Sequence, residues 1–234
     1  MRPVRPAYTP AVDGEIEIIF FDVGGTLLYP DPDVGEVYAR AGRDHGIDAP
    51  ARALAVAFHR AFREKKRQAL PQDRAWWREV VDRTFAPFGR PAEPEPLFSG
   101  LYDHFARPGA WRLYPDAEAA LPILSSRGPR LGVISNWDDR LPSLLAGHAA
   151  TRRLDPVIVS GILGAEKPDP AIYRAALSAA GVAPGRALMV GDDFDADVKG
   201  ARAAGLAAVH LDRSGAAPGA IPALTALLDR LAPR

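Results

Sequence analysis

The sequence predicts an α/β protein built on a Rossmann-like, doubly wound parallel sheet, with an all-helical segment inserted after the first strand. Three observations predict it. Short apolar runs rich in β-branched residues recur at 15–21, 130–135, 155–160, 187–190 and 206–211. Stretches of helical spacing at 116–127, 140–150, 169–180 and 196–204 separate the later runs, as parallel βαβ units require. From 31 to 109 that alternation stops, and only helical periodicity remains.

Each element has its own signal. The first run ends Ile18-Ile19-Phe20-Phe21 and opens into Asp22-Val23-Gly24-Gly25-Thr26, which reads as a buried strand entering a glycine-rich loop at its carboxyl end. The insertion carries helices near 34–45, 51–69, 73–86 and 96–106, with Pro71, Pro87, Pro91, Pro94 and Pro96 at the joints. Phe58, Phe62, Trp76 and Trp77 supply its apolar mass. A last amphipathic helix at about 221–231 is expected to close one face of the sheet. The expected organisation is a loose tail over 1–15, an α/β core over 16–30 and 110–234, and a helical lobe over 31–109. Hinges are expected near 29–33 and 108–111.

Composition narrows the function. The chain has 234 residues, 47% of them hydrophobic and 25% charged, which is ordinary globular usage. Its 29 basic and 29 acidic residues cancel, so no bulk field favours nucleic acid or an anionic membrane. The absence of cysteine excludes disulfide scaffolds, thiol nucleophiles and cysteine-ligated metals. No apolar stretch approaches the ~20 residues that span a bilayer. Pro3, Pro6 and Pro10 interrupt the segment where a signal peptide needs an apolar core. A soluble, cytoplasmic protein is expected.

In open α/β sheets, ligands bind beyond the carboxyl ends of the strands. Four polar groups fall there: Asp22, the Ser135-Asn136 pair, Lys167, and Asp192-Asp193 with Asp197. Asp22 suits either a nucleophile that attacks a phosphoryl group or a carboxylate that orders the glycine turn. Ser135 and Asn136 suit either donors to phosphoryl oxygens or a helix N-cap. Lys167, just ahead of Pro168 and Pro170, suits either neutralisation of phosphate and nucleophile or a solvated surface position.

The acidic run Asp192, Asp193, Asp195, Asp197 is the sharpest local signal. Its carboxylates repel one another unless a cation compensates, and Mg²⁺, which takes oxygen ligands, is the natural candidate. Asp192 is the expected direct ligand with Asp22 across the crevice, while Asp197 suits holding Lys167 or a metal-bound water. The alternative is an acidic helix N-terminus favoured by the macrodipole. The five histidines show no ligand spacing, the basic run 60–67 reads as a solvated helix face, and Gly161–Gly164 lacks a P-loop ending.

Asp22-Val-Gly-Gly-Thr-Leu27, Ser135-Asn136, Lys167-Pro-Asp-Pro170 and Gly191-Asp-Asp…Asp197 resemble, in order, motifs I to IV of the haloacid dehalogenase (HAD) superfamily. The helical insertion resembles the C1 cap of its first subfamily. The resemblance implies a Mg²⁺-dependent phosphatase of small phosphorylated metabolites, acting through an aspartyl-phosphate and needing neither nucleic acid nor membrane. It makes Asp22 the nucleophile and a metal ligand, Gly24 a ligand through its carbonyl, and Asp192 a further ligand. Ser135, Asn136, Lys167 and Gly25 fall in the substrate site, with Asp197 and Asp193 supporting.

One position departs from the pattern. The phosphatases of the family usually carry an aspartate, the general acid and base, where this chain has Gly24. Such a group typically contributes ~10²–10⁴-fold, or roughly 3–5 kcal/mol of barrier. Asp31, Asp33 and His45 are the candidate replacements from the inserted lobe. Two other readings stay open: a weak or silent homologue that binds a phosphometabolite or a protein, and a 2-haloacid dehalogenase. The dehalogenases resemble the chain in plan but need no metal and lack the aspartate corresponding to Asp192. A phosphomutase, whose proton shuttling needs an acid and a base, fits less well.

Overall fold

The computed structural model describes residues 15–66 and 72–231. The expected tail up to residue 14, and the end of the helix expected to reach residue 69, lie outside the described residues. The strands are β1 (Ile18–Phe21), β2 (Leu28–Pro30), β3 (Trp111–Leu113), β4 (Arg130–Ser135), β5 (Val157–Val159), β6 (Ala187–Gly191) and β7 (Ala207–His210). The helices are α1 (Val34–Asp44), α2 (Ala51–Lys66), α3 (Arg74–Phe85), α4 (Pro94–His104), α5 (Pro115–Ser126), α6 (Leu141–Ala146), α7 (Ser160–Leu163), α8 (Pro170–Ala180), α9 (Ala201–Ala203) and α10 (Leu227–Arg230). The described chain groups into two compact units, one of 15–29, 113–136 and 148–231, the other of 30–66, 72–112 and 137–147.

The first unit holds a five-stranded sheet in the order β5-β4-β1-β6-β7, with every neighbouring pair parallel. This is the α/β, Rossmann-like architecture the alternation predicts. All four residues of β1 are fully buried, as a central parallel strand covered on both faces requires. Successive side chains point to opposite faces, so Ile18 and Phe20 join one cluster with Ile134, Ile172, Tyr173 and Met189. Burying each such side chain contributes about 1.5–3 kcal/mol. Helix α8 shows why its boundaries are sharp. Asp169 caps it by accepting from Ala171 N at 2.8 Å, Pro170 opens it, and Gly181 ends it in the left-handed region.

In the second unit, α1 to α4 surround an aromatic core in which Tyr38 stacks on Phe85 and meets Phe58 edge-on. Asp33 caps α1 by accepting from Gly35 N at 2.8 Å. Sequence order places 137–147 in the α/β core, but the structure groups them with the helices. Buried Asp138 accepts from Trp77 Nε1 at 2.7 Å and pairs with Arg140, whose Nη1 donates to the Tyr102 carbonyl. These bonds hold the segment to α3 and α4, which no periodicity along the chain reveals.

Three further differences have local causes. The helix expected over 196–204 is a π-helical turn, Phe194–Gly200, followed by the short α9. Tyr173 Oη donates to the Ala196 carbonyl, and Asp193 caps the turn by accepting from Asp195 N and Ala196 N, both of which loosen the α ladder. The expected C-terminal helix shrinks to a 3₁₀ turn over Leu224–Ala226 and the four-residue α10. Ile221 bridges Leu211 instead, and Leu224 N donates to Asp116 Oδ2 at 2.6 Å. Strands β2 and β3 pair with each other, and at three residues each they are too short to leave a period-2 signal.

Candidate active site

The strand order sets the site. The chain runs from β1 through β4 to β5 on one side, then returns to β6 and β7 on the other. Ligands in such sheets bind where the order reverses, beyond the carboxyl ends. Asp22 stands directly at that point, its N–H donating to the Val190 carbonyl at 3.0 Å and continuing the ladder one residue past β1. Ser135 ends β4 beside it, and Asp192 follows β6.

Lys167 gathers these groups. Its buried Nζ donates to Asp22 Oδ1 at 2.8 Å, Asp197 Oδ1 at 2.6 Å and the Ile134 carbonyl at 2.7 Å. All three ammonium protons therefore have acceptors. Ser135 Oγ adds a 2.9 Å bond to the same Asp22 oxygen. Asp197 is buried, and its second oxygen accepts from Asp193 N at 3.0 Å. Asp22, Asp192 and Asp197 each offer a carboxylate oxygen, and these lie within 4.8 Å of one another.

Two expected residues act through the main chain around them. Asn136 directs both ends of its amide to the main chain of Lys167, Nδ2 to the carbonyl at 2.8 Å and Oδ1 from N–H at 2.7 Å. Its amide thus braces the lysine instead of facing phosphoryl oxygens. Asp193 caps the π-helical turn and so sets where Asp197 emerges. Gly25 has φ +78°, and a Cβ there would lie 2.4 Å from Asp192 Oδ2, so only glycine lets the loop approach that carboxylate. Gly24, half-buried, contributes main-chain atoms alone. Asp33 is the cap of α1 and Asp31 pairs with Arg112, while His45 stands at the C-terminal end of α1.

The electrostatics leave this cluster short of positive charge. Burial alone would push the Lys167 ammonium down, but Asp197 and Asp22 more than offset it and raise its pKa, so it stays protonated at neutral pH. Desolvation, then repulsion from Asp22 and Asp197, pushes the Asp192 carboxyl up to about 7, although the residue keeps an open face to solvent. Burial and Asp22 also raise Asp197, against the pull of Lys167. Three carboxylates face one ammonium. That donor set suits a divalent cation held by oxygen, and Asp22 and Asp192 are the residues placed to hold one.

Residues 16–205 match the family described as haloacid dehalogenase-like hydrolase. The chain belongs to that family. It is 36% identical over 202 residues to haloacid dehalogenase-like hydrolase domain-containing protein 3 of Bos taurus, covering 82% of this chain and 80% of that one. It is 45% identical over 102 residues to a phosphoserine phosphatase of Thermus thermophilus, which covers 43% of this chain and 41% of the relative. Among solved structures, a HAD phosphatase from Thermococcus onnurineus is similar at 27% identity and a TM-score of 0.65, covering 94% of this chain and 99% of that one. A 2-haloacid dehalogenase from Pseudomonas syringae pv. Tomato is similar at 27% identity and a TM-score of 0.61, covering 93% and 100%.

Some atoms that bond to the carboxylate cluster and its loop leave little trace in the sequence motifs. Thr26 Oγ1 donates to Asp192 Oδ1 at 3.4 Å, a role its place in the glycine loop hints at. The Ile134 carbonyl carries no sequence signal at all. Nor does His210, whose Nε2 lies 3.1 Å from the Asp192 carbonyl, or Arg213, which reaches the same loop.

Proposed function

We propose that this HAD hydrolase is a Mg²⁺-dependent phosphatase of small phosphorylated metabolites that works through Asp22. The reading rests on one observation above the others: a buried lysine shared by Asp22 and Asp197 at the strand ends, with Asp192 close by. The phosphoserine phosphatase relative and the HAD phosphatase structure support it. No helix among the described residues is long and apolar enough to cross a membrane.

A carboxylate oxygen of Asp22 attacks phosphorus, the bond to the leaving oxygen breaks, and an aspartyl-phosphate forms. Water then attacks that phosphorus, releasing inorganic phosphate and restoring the carboxylate. Lys167 and Ser135 hold Asp22 in place and offset charge on the transferring group. Asp22, Asp192 and the Gly24 carbonyl would hold Mg²⁺, which when bound supplies Lewis-acid neutralisation of phosphoryl charge. Asp192 favours this chemistry over dehalogenation, which needs no metal.

The absent acid at Gly24 directs activity toward substrates whose leaving group departs without a proton. An aryl phosphate such as 4-nitrophenyl phosphate meets that condition. In Mg²⁺, Asp22→Asn is expected to lower its hydrolysis by about 10³-fold or more, and chelation of the metal is expected to do likewise. An Asp22→Asn protein as fast as wild type would refute the mechanism. Mg²⁺-dependent stabilisation by phosphate, with turnover no faster than that control, would instead favour a silent phosphometabolite-binding protein.

A further inference from the structure

Arg213, just past β7, makes an arrangement that neither the HAD motifs nor the mechanism above accounts for. Its Nε donates to the Gly25 carbonyl at 3.0 Å, Nη2 to the Thr26 carbonyl at 2.8 Å and Nη1 to Asp116 Oδ1 at 2.8 Å. The guanidinium carbon lies 3.7 Å from the centre of the Tyr114 ring. The arginine is itself anchored. Asp212 N donates to the Ile221 carbonyl, and the Asp212 carboxylate accepts from Ser214 N, Ser214 Oγ and Ala217 N, closing the loop that carries Arg213. Asp116 accepts Leu224 N on its other oxygen.

The two peptide units that Arg213 grips belong to the residues that meet Asp192. Thr26 Oγ1 donates to Asp192 Oδ1, and the Gly25 Cα comes so near that a Cβ would strike Oδ2. Glycine has little conformational preference of its own, so the φ of +78° at Gly25 has to be imposed by its surroundings. Asp116 neutralises Arg213, so the guanidinium acts here as a rigid planar fork more than as a free charge.

We propose that Arg213 is a positioning residue: by fixing the Gly25 and Thr26 carbonyls it holds the nucleophile loop in the conformation that meets Asp192 and admits the cation. This rests on the phosphatase reading for its consequence, but not for its local effect on the loop.

The experiment compares wild type with Arg213→Lys, which keeps the charge and loses the fork, and Arg213→Met, which loses both. Amide hydrogen exchange at residues 24–28 in the metal-free protein reads the loop, and calorimetry with Mg²⁺ alone reads the site. Both variants are expected to exchange faster at Gly25 and Thr26 and to bind Mg²⁺ about 10–100-fold more weakly, with kcat on 4-nitrophenyl phosphate falling more than KM rises. Wild-type exchange and wild-type Mg²⁺ affinity in Arg213→Lys would overturn the proposal, and that variant decides if Arg213→Met does not fold. A wild-type protein that ignores Mg²⁺ would defeat the phosphatase reading instead, and the loop exchange would still decide for or against Arg213.

Discussion

Gly24 offers only main-chain atoms at the position where the phosphatases of the family usually carry an aspartate, and Asp31 and Asp33 are already engaged with Arg112 and the Gly35 N–H. Restoring the group is therefore a direct test. Gly24→Asp is expected to raise kcat on an alkyl phosphate by about 10²-fold or more, measured as phosphate release. An unchanged rate would mean that another group already delivers the proton. At this scale the motif residues were legible because each lies at or beyond the carboxyl end of a strand: Asp22, Ser135, Lys167, Asp192 and Asp197 all converge. Asn136 was not, because an amide at a strand end can turn to substrate or to a neighbouring main chain, and only the position of Lys167 selects the second.

Strand β6 and the π-helical turn after it act together. Gly191 ends β6, and a Cβ there would lie 2.1 Å from Asp197 Oδ2, while Lys167 and Asp193 N hold that carboxylate from the other side. Gly191→Ala is thus expected to push Asp197 off Lys167 and to destabilise the fold by about 1–3 kcal/mol, read from denaturant unfolding. Wild-type stability in that variant would show that Asp197 has room to swing aside. Most elements of the α/β alternation were legible, since buried strands of four to six residues read as apolar runs and helices of eleven or more leave a clear period. The turn over 194–200 was not. Its α pattern is overridden by Tyr173 and Asp193, whose bonds to the turn depend on packing and capping.

The whole molecule is electrically neutral, yet its acidic site holds three carboxylates around one ammonium. Folding raises Asp192 to about 7 and also raises Asp197, so both bind protons more tightly folded than unfolded. Their contribution to stability is present below the ordinary carboxylate pKa of about 4 and is lost as pH rises through about 7. Without Mg²⁺ the protein is expected to melt at a higher temperature near pH 5.5 than near pH 8. Mg²⁺ should restore stability mainly at the higher pH, where it does not compete with protons. Thermal scans with Mg²⁺ or with chelator check this, and a metal-free melting temperature that climbs from pH 5.5 to 8 would contradict it.

Read alone, the chain already determined the parallel α/β plan, the helical insertion and the strand-end carboxylates, because those follow from apolar runs, a 3.6-residue period and short motifs. The fold decided the rest. That Lys167 reaches Asp22, Asp197 and a carbonyl of β4, that 137–147 group with the helices, and that Arg213 grips the glycine loop after Asp22 all depend on which strands lie side by side. Strand order is chosen by burying every apolar face at once, a property of the whole chain that no local window carries.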